Sequence, residues 1–186
     1  MQYLYDHNGN RYIDLESNDG QVNIGHSHPA IKKIIQDQAG RLIHTSTIYM
    51  SETQGEYSKL LLDHLGSNFD TVYLCNSTGE AIDFSMMISR VFTDEKDIYS
   101  FRNDYHGLVG SARTVTTLGS WNSTHVDRLD SVRLTYPQTN GEHALKEIKN
   151  IVKTSSADHP GVLVYEPVQA KAGVNIAPSG FIKGVV

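Results

Sequence analysis

The sequence has 186 residues, of which 39% are hydrophobic and 20% are charged, and its formal net charge is −5. This length and composition are typical of one large or two small globular domains and exclude an intrinsically disordered chain. The negative net charge argues against nucleic acid or an anionic membrane as a partner. The single cysteine, Cys75, excludes an intrachain disulfide and a cysteine-based metal cluster.

The N-terminal residues predict a β-hairpin. The β-prone runs Tyr3–Tyr5 and Arg11–Leu15 flank Asp6-His7-Asn8-Gly9, and an Asn-Gly pair is typical of a tight hairpin turn. Apolar residues then recur at the helical period in two segments. The predicted elements here are a loop over Ser17–His28, a helix starting at Pro29, and a helix that includes Tyr57–Leu65 and ends at Gly66.

The rest of the chain alternates strands with helices. The predicted strands are Thr71–Cys75, Asp97–Phe101, Ser131–Thr135 and Gly161–Glu166, and the predicted helices are Thr78–Phe92 and Glu142–Lys153. The stretch Thr114–Asp130 is rich in Thr, Ser, Gly and Asn, which favours a surface loop. The alternation predicts an α/β fold in which a mostly parallel sheet is flanked by helices.

The segment Asn76-Ser77-Thr78-Gly79-Glu80 lies where a predicted strand ends and a predicted helix begins. The free N–H groups and the positive end of such a helix form an anion site that fits a phosphate. Ser77 and Glu80 also have the spacing of a capping box, which would explain the motif without any ligand. The residues alone leave both interpretations open.

Two further motifs follow predicted strands and so leave the same carboxyl edge of a parallel sheet. Tyr105-His106-Gly107 offers an aromatic ring that can stack on a flat ligand, although a turn tyrosine beside a hydrogen-bonded histidine is the simpler interpretation. Glu166-Pro167-Val168-Gln169 offers a carboxylate at the crevice, although Pro167 can simply end the strand.

Metal catalysis has no support in the sequence. The pair His26 and His28 is a weak metal signal, and a glycine turn with helix-capping residues explains it better. The chain has no His-Glu-x-x-His, Gly-x-Ser-x-Gly, Walker or Gly-x-Gly-x-x-Gly motif. These absences disfavour metalloprotease, serine hydrolase, P-loop and nicotinamide functions.

The order of the motifs resembles the class III pyridoxal-phosphate aminotransferases, most closely their alanine–glyoxylate branch. The motifs that carry the resemblance are Gly25-His26-x-His28-Pro29, Gly40-Arg41-Leu42-x-His44-Thr45-Ser46, Asn76-Ser77-x-x-Glu80-Ala81, Phe101-Arg102-x-x-Tyr105-His106-Gly107 and Glu166-Pro167-Val168-Gln169. The resemblance implies a fold type I architecture that binds pyridoxal 5'-phosphate and forms a homodimer. It divides the chain into an N-terminal hairpin and helix segment, residues 1–45, and a partial large domain, residues 46–186, truncated at its C-terminus.

The resemblance also assigns cofactor-binding residues. It implies that Thr78 and Gly79 lie at the phosphate, that Tyr105 lies against the pyridine ring, and that Glu166 and Gln169 lie in the polar network behind the cofactor. Ser77 and His106 are the other two residues implied to bind the cofactor. The implied reaction moves an amino group from alanine or a related amine to glyoxylate or another 2-oxo acid.

The chain departs from the family pattern in three respects. It has Thr78-Gly79 where the family has Gly then Ser or Thr, and Lys171 stands where some members carry a glutamate. No lysine matches the position that forms the family's Schiff base, so no catalytic residue is assigned and the chain is expected to be inactive alone. The alternatives are a non-catalytic homologue that dimerises with a full-length subunit, or an incomplete gene model.

The location of the protein is predicted from two opposing signals. The resemblance implies a mitochondrial location, because the alanine–glyoxylate branch is typically mitochondrial. The first residues, Met1–Asp6, show neither a secretory nor a transit-peptide pattern, which favours the cytoplasm. Apolar runs such as Val162–Tyr165 are too short to span a bilayer.

Overall fold

A computed structural model describes residues 1–119, 131–154 and 161–185. The contacts divide the chain into two compact units, which we call the N-terminal unit, Met1–Val72, and the C-terminal unit, Tyr73–Val186. The domain boundary at residue 45 stays a prediction, because a compact group of contacts is not by itself a folding domain.

The N-terminal unit contains a hairpin and three helices. They are β1 (Tyr3–Tyr5), β2 (Arg11–Ile13), α1 (Ser17–Gly20), α2 (Pro29–Arg41) and α3 (Glu52–Leu65). The helix α1 is a single turn with left-handed backbone at Asn18 and Asp19, so this segment is close to the loop that was predicted.

The predicted hairpin is confirmed, and the side chain of Asp6 closes its turn. β1 pairs antiparallel with β2, and Tyr3 lies opposite Ile13. The Asp6 Oδ1 atom accepts hydrogen bonds from the backbone N–H groups of Asn8 and Asn10, each at 2.9 Å. Hydrogen bonds from the side chain and backbone of Asn10 hold the pKa of Asp6 below its usual value. Gly9 has a φ of +84°, which explains the Asn-Gly signal.

The helix boundaries in the N-terminal unit follow their capping residues. α2 begins at Pro29, and the His28 Nδ1 atom accepts a hydrogen bond from the Ala30 N–H at 3.3 Å. α3 ends before Gly66, which has a φ of 82° and a ψ of −172°. That backbone conformation differs from the left-handed helical one that was expected, but it too favours glycine.

The C-terminal unit alternates helices and strands, as predicted. Its elements are α4 (Thr78–Thr93), β3 (Ile98–Phe101), α5 (Ala112–Val115), β4 (Ser131–Leu134), α6 (Gly141–Thr154), β5 (Val162–Val164), β6 (Val168–Gln169), β7 (Asn175–Ile176) and α7 (Phe181–Val185). β4, β3 and β5 form a parallel sheet in that order, which confirms the predicted parallel sheet. β6 and β7 form a separate antiparallel hairpin.

The central strand β3 is buried on both faces, because its side chains alternate between two helical layers. Ile98 packs in a cluster with Met86 of α4 and Val115 of α5. Phe101 packs in the opposite cluster, which includes Ile148 of α6 and Phe181 of α7. The sheet is therefore flanked by helices on both sides, as the α/β pattern predicted.

The strand predicted over Thr71–Cys75 is wrong. These residues pair with no strand in the part of the chain that the structure describes, so they form no ladder. The ring of Tyr73 instead stacks on Phe84 of α4, with ring centroids 4.3 Å apart and planes 20° from parallel. A β-prone sequence becomes a strand only where a partner supplies hydrogen bonds.

The surface loop predicted over Thr114–Asp130 is wrong for residues 114–117, and residues 120–130 lie outside the described residues. The first two residues belong to α5, and Val115, Thr116 and Thr117 are buried. The Thr116 hydroxyl donates to the Gly107 carbonyl at 2.7 Å, and the Thr117 hydroxyl donates to the Phe101 carbonyl at 2.8 Å. Burial is tolerated because these hydroxyls have hydrogen-bond partners.

Apolar side chains on the outer side of α4 are exposed. Val91 is 80% exposed and Phe92 is 89% exposed, and we call this surface, with Tyr73, Leu74 and Met87, the α4 apolar face. A groove of about 800 Å³ lies beside it, lined by residues of α4 and the segments on either side. No described helix has the length and apolarity needed to cross a membrane. Exposed apolar surface of this kind is typical of a protein interface.

Candidate functional site

Three sequence motifs meet at the carboxyl ends of β3 and β5. Gly79 of the α4 start lies directly against Gly107, and the Tyr105 N–H donates to the Glu166 Oε2 atom at 2.7 Å. The structure thus brings together the predicted helix end, the predicted aromatic ring and the predicted carboxylate. Such an edge is where open α/β sheets bind ligands.

The start of α4 contains the capping box that the sequence allowed. The Ser77 Oγ atom accepts from the Glu80 N–H at 3.2 Å, and the Glu80 Oε2 atom accepts from the Asn76 N–H at 2.8 Å. The N–H groups of Thr78 and Gly79 belong to the first turn and have no intrahelical acceptor. The cap and an anion site are therefore compatible, because they use different N–H groups.

Gly79 and Gly107 lie in close contact. A Cβ atom on Gly107 would lie 2.7 Å from the Gly79 Cα atom, so the two glycines allow the helix and the loop to touch. The threonine at position 78 is exposed, whereas Gly79 is buried in this contact. A Cβ atom on Gly79 itself would meet the Val109 Cγ2 atom at 2.8 Å and the Gly107 Cα atom at 3.6 Å, so the close approach requires glycine at 107 rather than at 79.

A buried acid that sequence analysis missed lies behind the Tyr105 loop. Asp104 is fully buried, and its Oδ1 atom accepts from the Gln169 Nε2 atom at 2.6 Å. Its Oδ2 atom lies 3.2 Å from the His106 Nε2 atom. Gln169 also donates to the Arg102 carbonyl at 2.7 Å. We call Asp104, His106 and Gln169 the acid network. Its sequence signal was an acid three residues after a buried strand.

Glu166 borders this network and has a perturbed acidity. Burial raises the pKa of Glu166 above its ordinary value of 4.5, and the negative charge of Asp104 raises it further. The hydrogen bond from the Tyr105 N–H acts in the opposite direction, because it stabilises the carboxylate. Glu166 therefore fixes the backbone of the ring-bearing residue while holding its proton more tightly than an exposed glutamate.

The residues present fit a phosphorylated pyridine. The first turn of α4 supplies N–H groups for a phosphate, and the half-buried ring of Tyr105 supplies a stacking surface. The acid network and Glu166 supply polar groups beside that ring. The donor set matches the anionic and aromatic parts of pyridoxal 5'-phosphate.

The two histidines of the weak metal signal have other partners. The His26 Nε2 atom pairs with the Asp14 Oδ2 atom at 2.5 Å, and His28 caps α2. Asp14 also accepts from the Ser17 N–H, and this bond contributes most to the lowered pKa of Asp14. Across residues 1–119, 131–154 and 161–185, no group of three His, Cys, Asp or Glu side chains has the arrangement of a metal site.

Comparison with known proteins identifies the class of protein that this fold and site define. A family model described as aminotransferase class-III matches residues 2–186. The chain therefore belongs to the class III aminotransferase family. The resemblance seen in the motifs, and the fold class that it implied, are confirmed.

Individual relatives span several activities. An acetylornithine aminotransferase of Methanopyrus kandleri is 31% identical over 97% of this chain and 44% of its own length. The mitochondrial alanine–glyoxylate aminotransferase 2 of Homo sapiens is 28% identical over 98% of this chain and 41% of its own length. The chain thus spans less than half the length of these relatives.

A solved structure shows the same fold. The taurine:2-oxoglutarate aminotransferase of Bifidobacterium kashiwanohense, in complex with PLP and glutamate, matches 99% of this chain and 45% of its own with a TM-score of 0.91. Its sequence identity is 22%, so this likeness concerns the fold. A transaminase from Virgibacillus also gives a TM-score of 0.91, at 19% identity.

Proposed function

We propose that the C-terminal unit is the cofactor-holding part of a pyridoxal-phosphate-dependent transaminase. The observation that carries this proposal is the contact between Gly79 and Gly107, which sets the α4 start beside the Tyr105 loop. A phosphate site next to the loop that carries a stacking ring suits one phosphorylated aromatic ligand. Family membership and a relative's fold in complex with PLP support the same ligand.

Each residue of the site has a proposed role. Ser77, Thr78 and Gly79 bind the phosphate through N–H and hydroxyl groups, and Tyr105 orients the pyridine ring by stacking. The bound cofactor would act as an electron sink for carbanion chemistry. The protein's contribution is to hold that ring at a fixed angle and to keep it anchored at the sheet edge.

The acid network and Glu166 are proposed to fix the loop that carries Tyr105. Glu166 accepts from the Tyr105 N–H, and the Thr116 hydroxyl oxygen accepts from the His106 N–H at 3.0 Å. Asp104 and Gln169 link this loop to β6. The polar side chains behind the cofactor are thereby held in place; they are His106, Glu166 and Gln169. Because they are already ordered, less conformational entropy is lost when the cofactor binds.

The proposed reaction transfers an amino group from alanine or a related amine to glyoxylate or another 2-oxo acid. Relatives with alanine–glyoxylate names support this substrate class, and those with acetylornithine names make a longer amine the alternative. Because no lysine matches the family's Schiff-base position, we propose that the chain alone gives no turnover. The mitochondrial names of some relatives support a mitochondrial location.

Cofactor titration tests the proposal. We expect the chain to bind pyridoxal 5'-phosphate at least about tenfold more tightly than pyridoxal, because charge-assisted bonds to the phosphate contribute about 1.5–3 kcal/mol each. Tyr105→Ala should weaken binding about fivefold through lost stacking. Tyr12→Ala, in the exposed hairpin, is the matched control and should have no effect. Equal affinity for both ligands would contradict the phosphate site.

The second candidate function is pairing with another aminotransferase subunit, in a homodimer or in a heterodimer with a full-length chain. The α4 apolar face supports it, because Val91 and Phe92 are largely exposed. Sedimentation of the chain alone and mixed with a full-length class III relative tests this candidate. Formation of a mixed species of defined mass supports pairing, whereas unchanged monomers in the mixture contradict it.

A further inference from the structure

The hairpin β6–β7 is tied to the acid network through Gln169. The Asn175 Nδ2 atom donates to the Gln169 Oε1 atom at 3.3 Å, and Gln169 in turn donates to Asp104. The turn between the strands is closed by the Gly173 and Val174 N–H groups, which donate to the Ala170 carbonyl at 3.3 and 3.2 Å. These bonds fix the turn relative to the Tyr105 loop.

Lys171 lies in this fixed turn and reaches the proposed stacking residue. Its Nζ atom is 5.3 Å from the centroid of the Tyr105 ring, within the range of a cation–π interaction. The Lys171 residue is exposed, and the Tyr105 residue is half-buried. An ammonium group therefore lies beside the ring, on the solvent side of the site.

The charges around the Tyr105 ring indicate which kind of ligand group the Lys171 ammonium can bind. Two carboxylates border the Tyr105 loop, those of Glu166 and Asp104. An amino acid or a 2-oxo acid brings a further carboxylate, which these groups would repel. A cation held beside the ring offsets that repulsion and supplies hydrogen-bond donors.

We propose that Lys171 binds the carboxylate of the amino acid or 2-oxo acid substrate. This inference rests on the proposed function, because it places the substrate next to a cofactor stacked on Tyr105. Lys171 is then a specificity-determining residue that favours substrates with a carboxylate near the reacting amine over simple amines. The Tyr105 ring limits the number of positions that the ammonium can adopt, so less side-chain entropy is lost on binding.

Two stable cofactor conjugates test this role without turnover. Phosphopyridoxyl-alanine and phosphopyridoxyl-ethylamine are secondary amines that differ only in the carboxylate, and their affinities can be measured by calorimetric titration. We expect the chain to prefer the alanine conjugate about fivefold, the upper range for an exposed ion pair. Lys171→Gln should abolish the preference, Lys171→Arg should keep it, and Lys171→Glu should reverse it. Lys183→Gln, an exposed lysine of α7, is the control and should match the unaltered chain.

The outcomes separate this inference from the function on which it rests. If both conjugates bind but Lys171→Gln retains the preference, the carboxylate role is wrong and the cofactor site stands. If neither conjugate binds, the cofactor site and the role of Lys171 are both wrong. Loss of preference in Lys171→Gln with unchanged affinity for the ethylamine conjugate would support the role, since a merely structural residue would affect both ligands.

Discussion

Gly107 lies so close to Gly79 that a Cβ atom on Gly107 would come within 2.7 Å of the Gly79 Cα atom. Gly107 also has a φ of +108°, a backbone conformation that disfavours any side chain. We expect Gly107→Ala to lower the free energy of unfolding by about 2 kcal/mol or more. The same change should weaken pyridoxal-phosphate binding, because it moves the Tyr105 loop away from α4. Urea denaturation and cofactor titration measure the two effects.

Gly79→Ala is the matched control for that substitution. Its Cβ atom would meet the Val109 Cγ2 atom at 2.8 Å, and Val109 is 45% exposed and able to turn away. Alanine also has the better helix propensity, by about 1 kcal/mol. We expect Gly79→Ala to change stability by less than about 1 kcal/mol. Equal losses in the two variants would show that the glycine contact does not set the spacing.

Among the acidic residues, Asp104 is predicted to be the one whose removal lowers the free energy of unfolding most. Asp104→Ala leaves the buried amide of Gln169 and the buried ring of His106 without their shared acceptor, so unfolding free energy should fall by about 3 kcal/mol. Asp37→Ala is the control, because Asp37 is 59% exposed and pairs with Lys33 on the surface of α2. It should cost less than about 0.5 kcal/mol. Similar melting curves for the two variants would contradict a structural role for the network.

The raised pKa of Glu166 predicts a pH dependence of stability. Burial makes the folded chain hold this proton more tightly than the unfolded chain does. The contribution of Glu166 to the free energy of unfolding is therefore fully present below the ordinary pKa of 4.5. It is lost as the pH rises through the higher pKa of the folded state. Glu166→Gln removes this loss and keeps an oxygen that accepts from the Tyr105 N–H. Its stability relative to the unaltered chain should rise with pH above 4.5 in denaturation series; a constant difference would refute the assignment.

The α4 apolar face is predicted to drive self-association. Phe92→Ser combined with Val91→Thr should shift the chain toward monomers in sedimentation experiments, because both side chains are largely exposed. Helix propensities barely change, so stability should stay within about 0.5 kcal/mol. Met86→Thr, on the buried side of the same helix, should instead destabilise the fold. Unchanged self-association in the double variant would contradict the role of this face.

Local signals account for the elements that sequence analysis predicted correctly. The hairpin turn, the capped start of α4 and the periodic helix α6 each depend on residues within a few positions of one another. The failed predictions depend on distant partners. The segment Thr71–Cys75 needed a neighbouring strand, and Thr116 and Thr117 needed carbonyl groups of other segments.

In the candidate site, too, residues with a local sequence signal were predicted and residues that depend on distant partners were missed. The sequence pattern predicted that Tyr105 and Glu166 lie at one sheet edge, because both follow predicted strands of a parallel sheet. Asp104 was missed because its partner Gln169 lies 65 positions away in the chain. The contact of Lys171 with the Tyr105 ring likewise depends on the fold of β6–β7, which no short-range pattern indicates.

The position of β3 in the chain has a consequence for folding during synthesis. β3 is made before either neighbour, since β4 begins at Ser131 and β5 at Val162. Its residue Phe101 completes an aromatic cluster only with Tyr136 and Phe181, whose ring centroids lie 5.6 and 5.8 Å away. A nascent chain must therefore carry the Phe101 face of this fully buried strand uncovered until Phe181 has left the ribosome, and that face is open to aggregation during the interval.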